Sequence, residues 1–295
     1  PYMGLFTTYQ PTGKQIHPAE DFNEQVWVDF EDTKMPIPNG YDNILTRIYG
    51  DFMTPPPPEK RVIKHHFSNK YMSEEMMREI QDIQAIELDI LKTVSAFCKD
   101  NDIIFFLGEG TLLGAIRHKG FIPWDDDVDI LMMAKDYRKF LERAPEALKE
   151  ACVIQHSSLL DNYWSPFIKV RRKNETSPYY QKHIEHLSKD NGPLIDIFPI
   201  TYVKSGTHDP LRGKYFRFWR SALFAKLNTR EYFSLKKRLS VLASKFVSVR
   251  FIHRRLERTL DALSVEKGDY VGMYTTYQKA HKLIHPASDF DEQVW

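Results

Sequence analysis

Four acids fall within five positions in Asp125-Asp126-Asp127-Val128-Asp129, and Ile130-Leu131-Met132-Met133 follows at once. The acids therefore lead into a buried strand rather than a solvated tail. Side chains alternate faces along a strand, so Asp127 and Asp129 are expected on one face, with Val128 and Ile130 on the other. Two carboxylates held side by side repel each other unless positive charge lies between them. Hard oxygen ligands suit magnesium. A further acid, Asp196, interrupts the apolar run Leu194-Ile195-Asp196-Ile197-Phe198. Buried alone it would be costly, and a cation shared with Asp127 and Asp129 would give it a partner. A lone Asp-x-Asp is more often a solvated loop or a helix start, so the pattern gains its weight from what surrounds it.

Just upstream, Gly108-Glu109-Gly110 turns the chain and Thr111 to Arg117 reads as a short helix. A glycine turn feeding a helix N-terminus exposes backbone N–H groups that suit a phosphate, though such turns also join elements with no ligand. Gly110 and Thr111 are the candidate contacts there. Arg117, His118 and Lys119 follow, either to neutralise a phosphate or as a solvated basic turn. Trp124 stands against the acids, where a wedge in the loop is favoured over stacking on a base. In Phe167-Ile168-Lys169-Val170-Arg171, Lys169 and Arg171 share a strand face. Cations facing carboxylates, a metal and phosphates make electrostatic sense; an exposed edge-strand face is the competing reading.

The elements that must position these groups are legible in outline. Ser73 to about Lys99 is the clearest helix, with Ser73 as its cap and Glu74 and Glu75 in its first turn. Its buried stripe is Ile80, Ile83, Leu88, Leu91 and Val94. Ile103 to Leu107 reads as a buried strand, Ala134 to Leu148 as a helix, and Val153 to His156 as a strand. Met35 to Pro38 is extended because each Pro disfavours helix before it, and Asn39-Gly40 makes a turn. Tyr41 to Tyr49 suits a short helix with Ile44, Leu45 and Ile48 on one face; Tyr41 and Tyr49 read as packing. Asp42 and Asp51 stay open as polar contacts near the site. Pro55 to Pro58 forms a rigid stop.

A chain of 295 residues with 42% hydrophobic and 27% charged content can bury a sizeable core. A net charge of +1 implies no global polyelectrolyte role. Cys98 and Cys152 lack metal-type spacing and suggest no disulfide framework, which points to a reducing compartment. No apolar run approaches the roughly 18 residues needed to span a bilayer, and no signal peptide is recognisable. Residues 204–258 hold fifteen Lys or Arg against Asp209, Glu231 and Glu257, with aromatics interleaved. Leu235 to Leu256 looks helical and amphipathic. The region suits a peripheral contact with an anionic membrane or a polyanionic acceptor, against the plainer reading of a solvated face. Nucleic acid is not the expected partner.

Residues 4–27 and 272–295 match at 16 of 24 positions. The offset is a whole domain, far longer than solenoid periods. The simplest account is a window cut from a tandem array of similar domains, with an engineered permutation as the minority account. The expected division is a tail segment over 1–66, which belongs to a preceding copy or completes the core as a permutation. A catalytic core over 67–203, a basic helical subdomain over 204–271 and a second, truncated copy over 272–295 follow.

The run FLGEGTLLGAIRHKGFIPWDDDVDI resembles the signature of the LicD family, which includes bacterial phosphocholine transferases and, more distantly, fukutin and fukutin-related protein. The likeness extends to FIKVRRKNET, LIDIFPI and PIPNGYDNILTRIYGDFMTPPPPEKR. The resemblance implies an α+β fold: a nucleotidyltransferase-like mixed sheet flanked by helices, here with the basic helical subdomain. It implies magnesium or manganese held by Asp127, Asp129 and Asp196, with Asp125 as a catalytic helper. It implies transfer of a phospho-alcohol from a CDP-linked donor to a sugar hydroxyl of a glycan, in the cytoplasm at the inner face of the membrane. Phosphate contacts then fall to Gly110, Thr111, Arg117, His118, Lys169 and Arg171. Glu109 departs from the pattern, since many relatives carry glycine there. Nucleotidyl transfer with release of pyrophosphate, and a noncatalytic glycan- or membrane-binding module, are the alternatives.

Overall fold

A computed structural model of the chain describes residues 16–58, 61, 74–160, 163, 165, 167–174, 190, 192–203, 215, 218–219, 222–223, 226, 242, 244–263 and 270–272. Its fold is α+β. The centre is a mixed five-strand sheet in the order β6-β7-β8-β5-β4. These strands are β4 (Phe106–Leu107), β5 (Asp129–Met133), β6 (Cys152–Gln155), β7 (Ile168–Arg172) and β8 (Leu194–Val203). The β5 and β8 pair is parallel, and every other pair is antiparallel. β8 is long enough to change partners. Its first residues pair with β5 and β7, and Thr201–Val203 pair with β9 (Tyr270–Gly272), which carries β1 (Ile16–Pro18) on its other edge.

Hydrophobic patterning explains both faces. β5 and β8 are buried along nearly their whole length, as expected for a central parallel pair with covered faces. α2 (Glu74–Asp100) lays Ile80, Ile83, Leu91 and Val94 into the core, with Leu88 partly buried. α4 (Ala134–Ala147) adds Tyr137, Phe140 and Ala144. α3 (Glu109–Arg117) is short and almost entirely buried. Cys98 and Cys152 are buried free thiols. Ser73, expected to cap α2, lies outside the described residues. The strand expected over 103–107 shrinks to Phe106–Leu107, with Ile104 turned to solvent.

The N-terminal segment is part of the same core. β2 (Gln25–Phe30) and β3 (Thr33–Pro38) form a hairpin, and α1 (Tyr41–Tyr49) follows with Ile44, Leu45 and Ile48 buried as expected. Phe22 packs edge-to-face on Phe106, and Phe30 on Phe121. The hairpin was not foreseen. Its tip grips the loop that leads to the acids: Glu31 N donates to Lys119 O (2.8 Å), and Phe121 N donates to Glu31 Oε1 (2.9 Å). In the basic region residues 235–241 and 243 of the expected helix over 235–256 lie outside the described residues. Its described end breaks at Val247-Ser248, where Ser248 Oγ accepts from Phe251 N and starts α5 (Val249–Leu263). No helix among the described residues is long and apolar enough to cross a membrane. Residues 273–295, and with them nearly all of the second copy, lie outside the description.

Candidate active site

The acids are held by their backbones before their side chains do anything. Gly108 N donates to Asp129 O (2.9 Å), and Asp129 N donates to Thr111 Oγ1 (2.9 Å). On the other side Asp196 N donates to Val128 O (2.8 Å), which sets Asp129 and Asp196 opposite one another at the start of the parallel pair. Thr111 thus acts on the acids through the backbone. Gln84 of α2 fastens the preceding loop, donating to Ile122 O (3.1 Å) and Asp125 O (2.8 Å). Gly110 leaves room for the Asp125 carboxylate, since a Cβ there would fall 2.8 Å from Asp125 Oδ2 and turn that side chain aside. At Gly114 a Cβ would sit 2.5 Å from Gly120 O, so the helix and the loop returning from it could not approach.

The acids fall into a loop trio and a strand pair. Ligand oxygens of Asp125, Asp126 and Asp127 all lie within 4.8 Å of one another, the one such set among the described residues. Asp126 is buried, while Asp125 and Asp127 are half-buried and reachable. β5 starts only at Asp129, so Asp127 lies in the extended loop before it. Asp129 and Asp196 are buried, and Asp196 receives Lys169 Nζ at 2.8 and 3.0 Å. Three hard oxygen donors at this spacing fit a divalent cation, and their mutual repulsion favours one. Asp126, not proposed from the sequence, belongs to the trio; the only signal was its place in the acid run.

Electrostatics around the trio follow from burial. Glu109 opens α3 with φ of +44°, a left-handed conformation that glycine adopts at no cost and other residues rarely do. Burial, then the charge of Asp127, push its carboxyl up to about 8. The Tyr49 phenol is raised well above its ordinary value, first by burial and then by Glu109, Asp125, Asp129 and Asp127. Tyr49 packs against the core, as expected, and lies within the field of the acids. Arg117 Nη1 donates to Phe52 O (3.1 Å). Arg117 is lowered by burial, against which the charges of Tyr49 and Asp125 act, while Arg61 adds to the lowering. His118 stands edge-on to Trp124 at 6.1 Å, and burial, Arg117 and Arg61 lower its pKa. Arg61 lies over the buried Trp124 ring, 5.3 Å from its centroid. Tyr49 and Arg61 come from the N-terminal segment, and no spacing in the sequence ties them to the acids.

Lys169 and Arg171 share a face of β7 and divide its work. Lys169 reaches Asp196 across the register pair. Arg171 is wholly buried, donating to Gln155 Oε1 (2.7 Å) and Gly192 O (2.6 Å), and these bonds clamp the chain just before β8.

Residues 102–239 match the family described as "LicD/FKTN/FKRP, nucleotidyltransferase domain", a stretch that contains α3, the acid loop and β5 to β8. The chain is 28% identical over 215 residues to the lipopolysaccharide cholinephosphotransferase LicD of Haemophilus influenzae, covering 68% of this chain and 77% of that protein. Residues 102–239 thus resemble the LicD nucleotidyltransferase domain. Two uncharacterized Rickettsia proteins are also similar. That of R. prowazekii is 35% identical over 171 residues (51% of this chain, 61% of that protein), and that of R. typhi 30% over 101 residues (33% of each). Family and relatives support a transferase. In this chain the matched stretch supplies the acids and Lys169, while Tyr49, Arg61 and Gln84 lie outside it.

Proposed function

We propose that the chain transfers a phospho-alcohol, such as phosphocholine or an alditol phosphate, from a CDP-linked donor to a sugar hydroxyl of a cell-surface glycan. The observation that carries the proposal is the trio Asp125, Asp126 and Asp127 beside the Lys169–Asp196 pair, set in a chain related to a cholinephosphotransferase. Magnesium or manganese would be held by Asp127, with Asp125 and Asp126 of the trio and Asp129 and Asp196 of the strand pair within the same acid patch. A cation bound there supplies positive charge against the donor's diphosphate.

The chain's own groups account for the remaining steps. Arg117 and Arg61 offer guanidinium N–H groups to phosphate oxygens. Asp125 is the better placed proton acceptor of the two considered, because both oxygens of Asp196 already accept from Lys169 Nζ while Asp125 is half-buried and reachable. The acceptor oxygen attacks the β-phosphorus and its proton passes to Asp125. The P–O bond to the bridging oxygen breaks, and CMP leaves with that electron pair.

The test is incubation with a panel of CDP-alcohols, magnesium and candidate glycans. CMP release that depends on the glycan and is lost in Asp127→Asn supports the reading. Pyrophosphate release from CTP indicates nucleotidyl transfer instead, and full activity of Asp127→Asn removes the metal role.

A further inference from the structure

The repeat gives β9 two candidate partners of nearly the same sequence. Within it, Ile16–Trp27 and Ile284–Trp295 are identical at ten of twelve positions. The structure shows what the first copy does. His17 pairs with Val271 in register, and His17, Asp21 and Phe22 are buried. Asp21 Oδ1 accepts from Asn43 Nδ2 (3.1 Å), Phe22 packs on Phe106, and Gln25 Nε2 donates to Phe105 O (2.8 Å). Each of these has an identical counterpart: His285, Asp289, Phe290 and Gln293. The two differences, Glu20 against Ser288 and Asn23 against Asp291, fall where the first copy is exposed. The second copy has changed only where the groove does not feel the change.

Reach permits the exchange. Ile16 pairs with Gly272, and Ile284 lies twelve positions after Gly272 in the same chain. Antiparallel strands can be joined by as few as about two residues, so 273–283 suffices to fold the second copy back onto β9. The first copy has the shorter tether, because its last residues, Gln25–Trp27, are already the start of β2, held against β3 and α1 by Ile37, Ile44, Leu45 and Ile48. With like contacts on both sides, tether geometry sets the ratio. We propose that Ile284–Trp295 is a second, intramolecular ligand for the groove filled by Ile16–Trp27, so that the two copies exchange on β9 and Phe106. The inference stands whatever group the active site transfers.

The test uses the full chain and paired cysteines. Pro18 pairs with Tyr270, so Tyr270→Cys with Pro18→Cys reports the first copy, and Tyr270→Cys with Pro286→Cys reports the second. Facing strand residues suit a disulfide, and the native Cys98 and Cys152 are buried. The expected result is a minor intramolecular 270–286 disulfide that becomes the major product when Phe22→Ala is added. Melting gives a second measurement: Phe290→Ala alone melts with the unmodified chain, and Phe22→Ala/Phe290→Ala melts below Phe22→Ala. Absence of the 270–286 disulfide in the Phe22→Ala background, while the 270–18 disulfide forms in the intact chain, overturns the proposal. So does a product that is only intermolecular, or a Phe290→Ala change without effect in either background.

Discussion

Lys169→Met tests the centre of the site most directly. It keeps an unbranched chain of similar bulk and removes only the ammonium that lies 2.8 and 3.0 Å from the Asp196 carboxylate. Both side chains are 7% exposed, so water screens little of what is lost. Removing one partner of a buried pair costs about 3–5 kcal/mol, because the remaining charge stays desolvated. Against a total stability of about 5–15 kcal/mol, that is a large share. At about 2–4 °C per kcal/mol for a domain of this size, the melting midpoint should fall by about 10 °C in buffer free of divalent cations. Asp196→Asn in the same background should recover most of the loss, since the stranded charge is gone. Magnesium should raise the midpoint of Lys169→Met more than that of the unmodified chain, because binding to the folded state stabilises by mass action and the vacated carboxylate is open to it. Thermal unfolding with and without magnesium measures all three. A loss below about 1 kcal/mol, or no recovery with Asp196→Asn, would refute the argument that this pair neutralises the strand acids.

Glu109→Gln bears on pH. The folded carboxyl stands at about 8 against an ordinary 4.5, so between those values the folded state keeps a proton that the unfolded chain has lost. Stability is then greatest below about 4.5 and declines as pH rises through about 8, by up to about 4–5 kcal/mol; Glu109→Gln should abolish that decline in urea midpoints taken without divalent cations. His17 has the opposite sign. Burial and Arg47 hold it at about 3, so its share of stability is present above about 6.5 and drains away as pH falls toward about 3. His17→Asn should flatten that acid limb in the same assay. Arg171→Met should cost about 2–4 kcal/mol by stripping two buried acceptors, Gln155 Oε1 and Gly192 O, of their donor; its urea midpoint should drop accordingly, and an unchanged midpoint would count against the clamp.

What the sequence disclosed was local, and what it hid was tertiary. The acid run, the Gly-Thr turn and Asp196 were legible because polar residues inside apolar strands are conspicuous, and α1 and α4 because their apolar spacing is regular. Asp126 escaped because alternation along a strand assigned it to the far face, whereas the chain is still a loop there. Tyr49 packs against the core as its place at the end of an amphipathic helix suggested, and its nearness to the acids is a tertiary fact that the sequence does not carry. Arg61 is separated by sixty-three residues from Trp124, whose ring it covers, and nothing local signals such a distance. The β2–β3 hairpin was missed because β2 lacks a clean alternation, with Val26 exposed on one face and Trp27 and Asp29 exposed on the other. Its turn at Glu31, with φ of +54°, lacks the glycine or asparagine that would mark it.

Charge balance at the site follows from these placements. Around the five carboxylates Asp125, Asp126, Asp127, Asp129 and Asp196 stand three fixed cations, Lys169 on Asp196, Arg117, and Arg61 over Trp124, which formally leaves two negative charges. Glu109, pushed up to about 8, is mostly neutral at pH 7, and His118, with its pKa lowered, adds no compensating charge there. The deficit is that of one divalent ion. A diphosphate approaching this patch without such an ion would meet like charge in surroundings of low dielectric, where repulsion is several-fold stronger than in water. A sugar hydroxyl carries no charge and meets no such barrier. The two substrates of the proposed reaction should therefore differ in kind: affinity for the donor should depend steeply on magnesium, and affinity for the glycan hydroxyl should not.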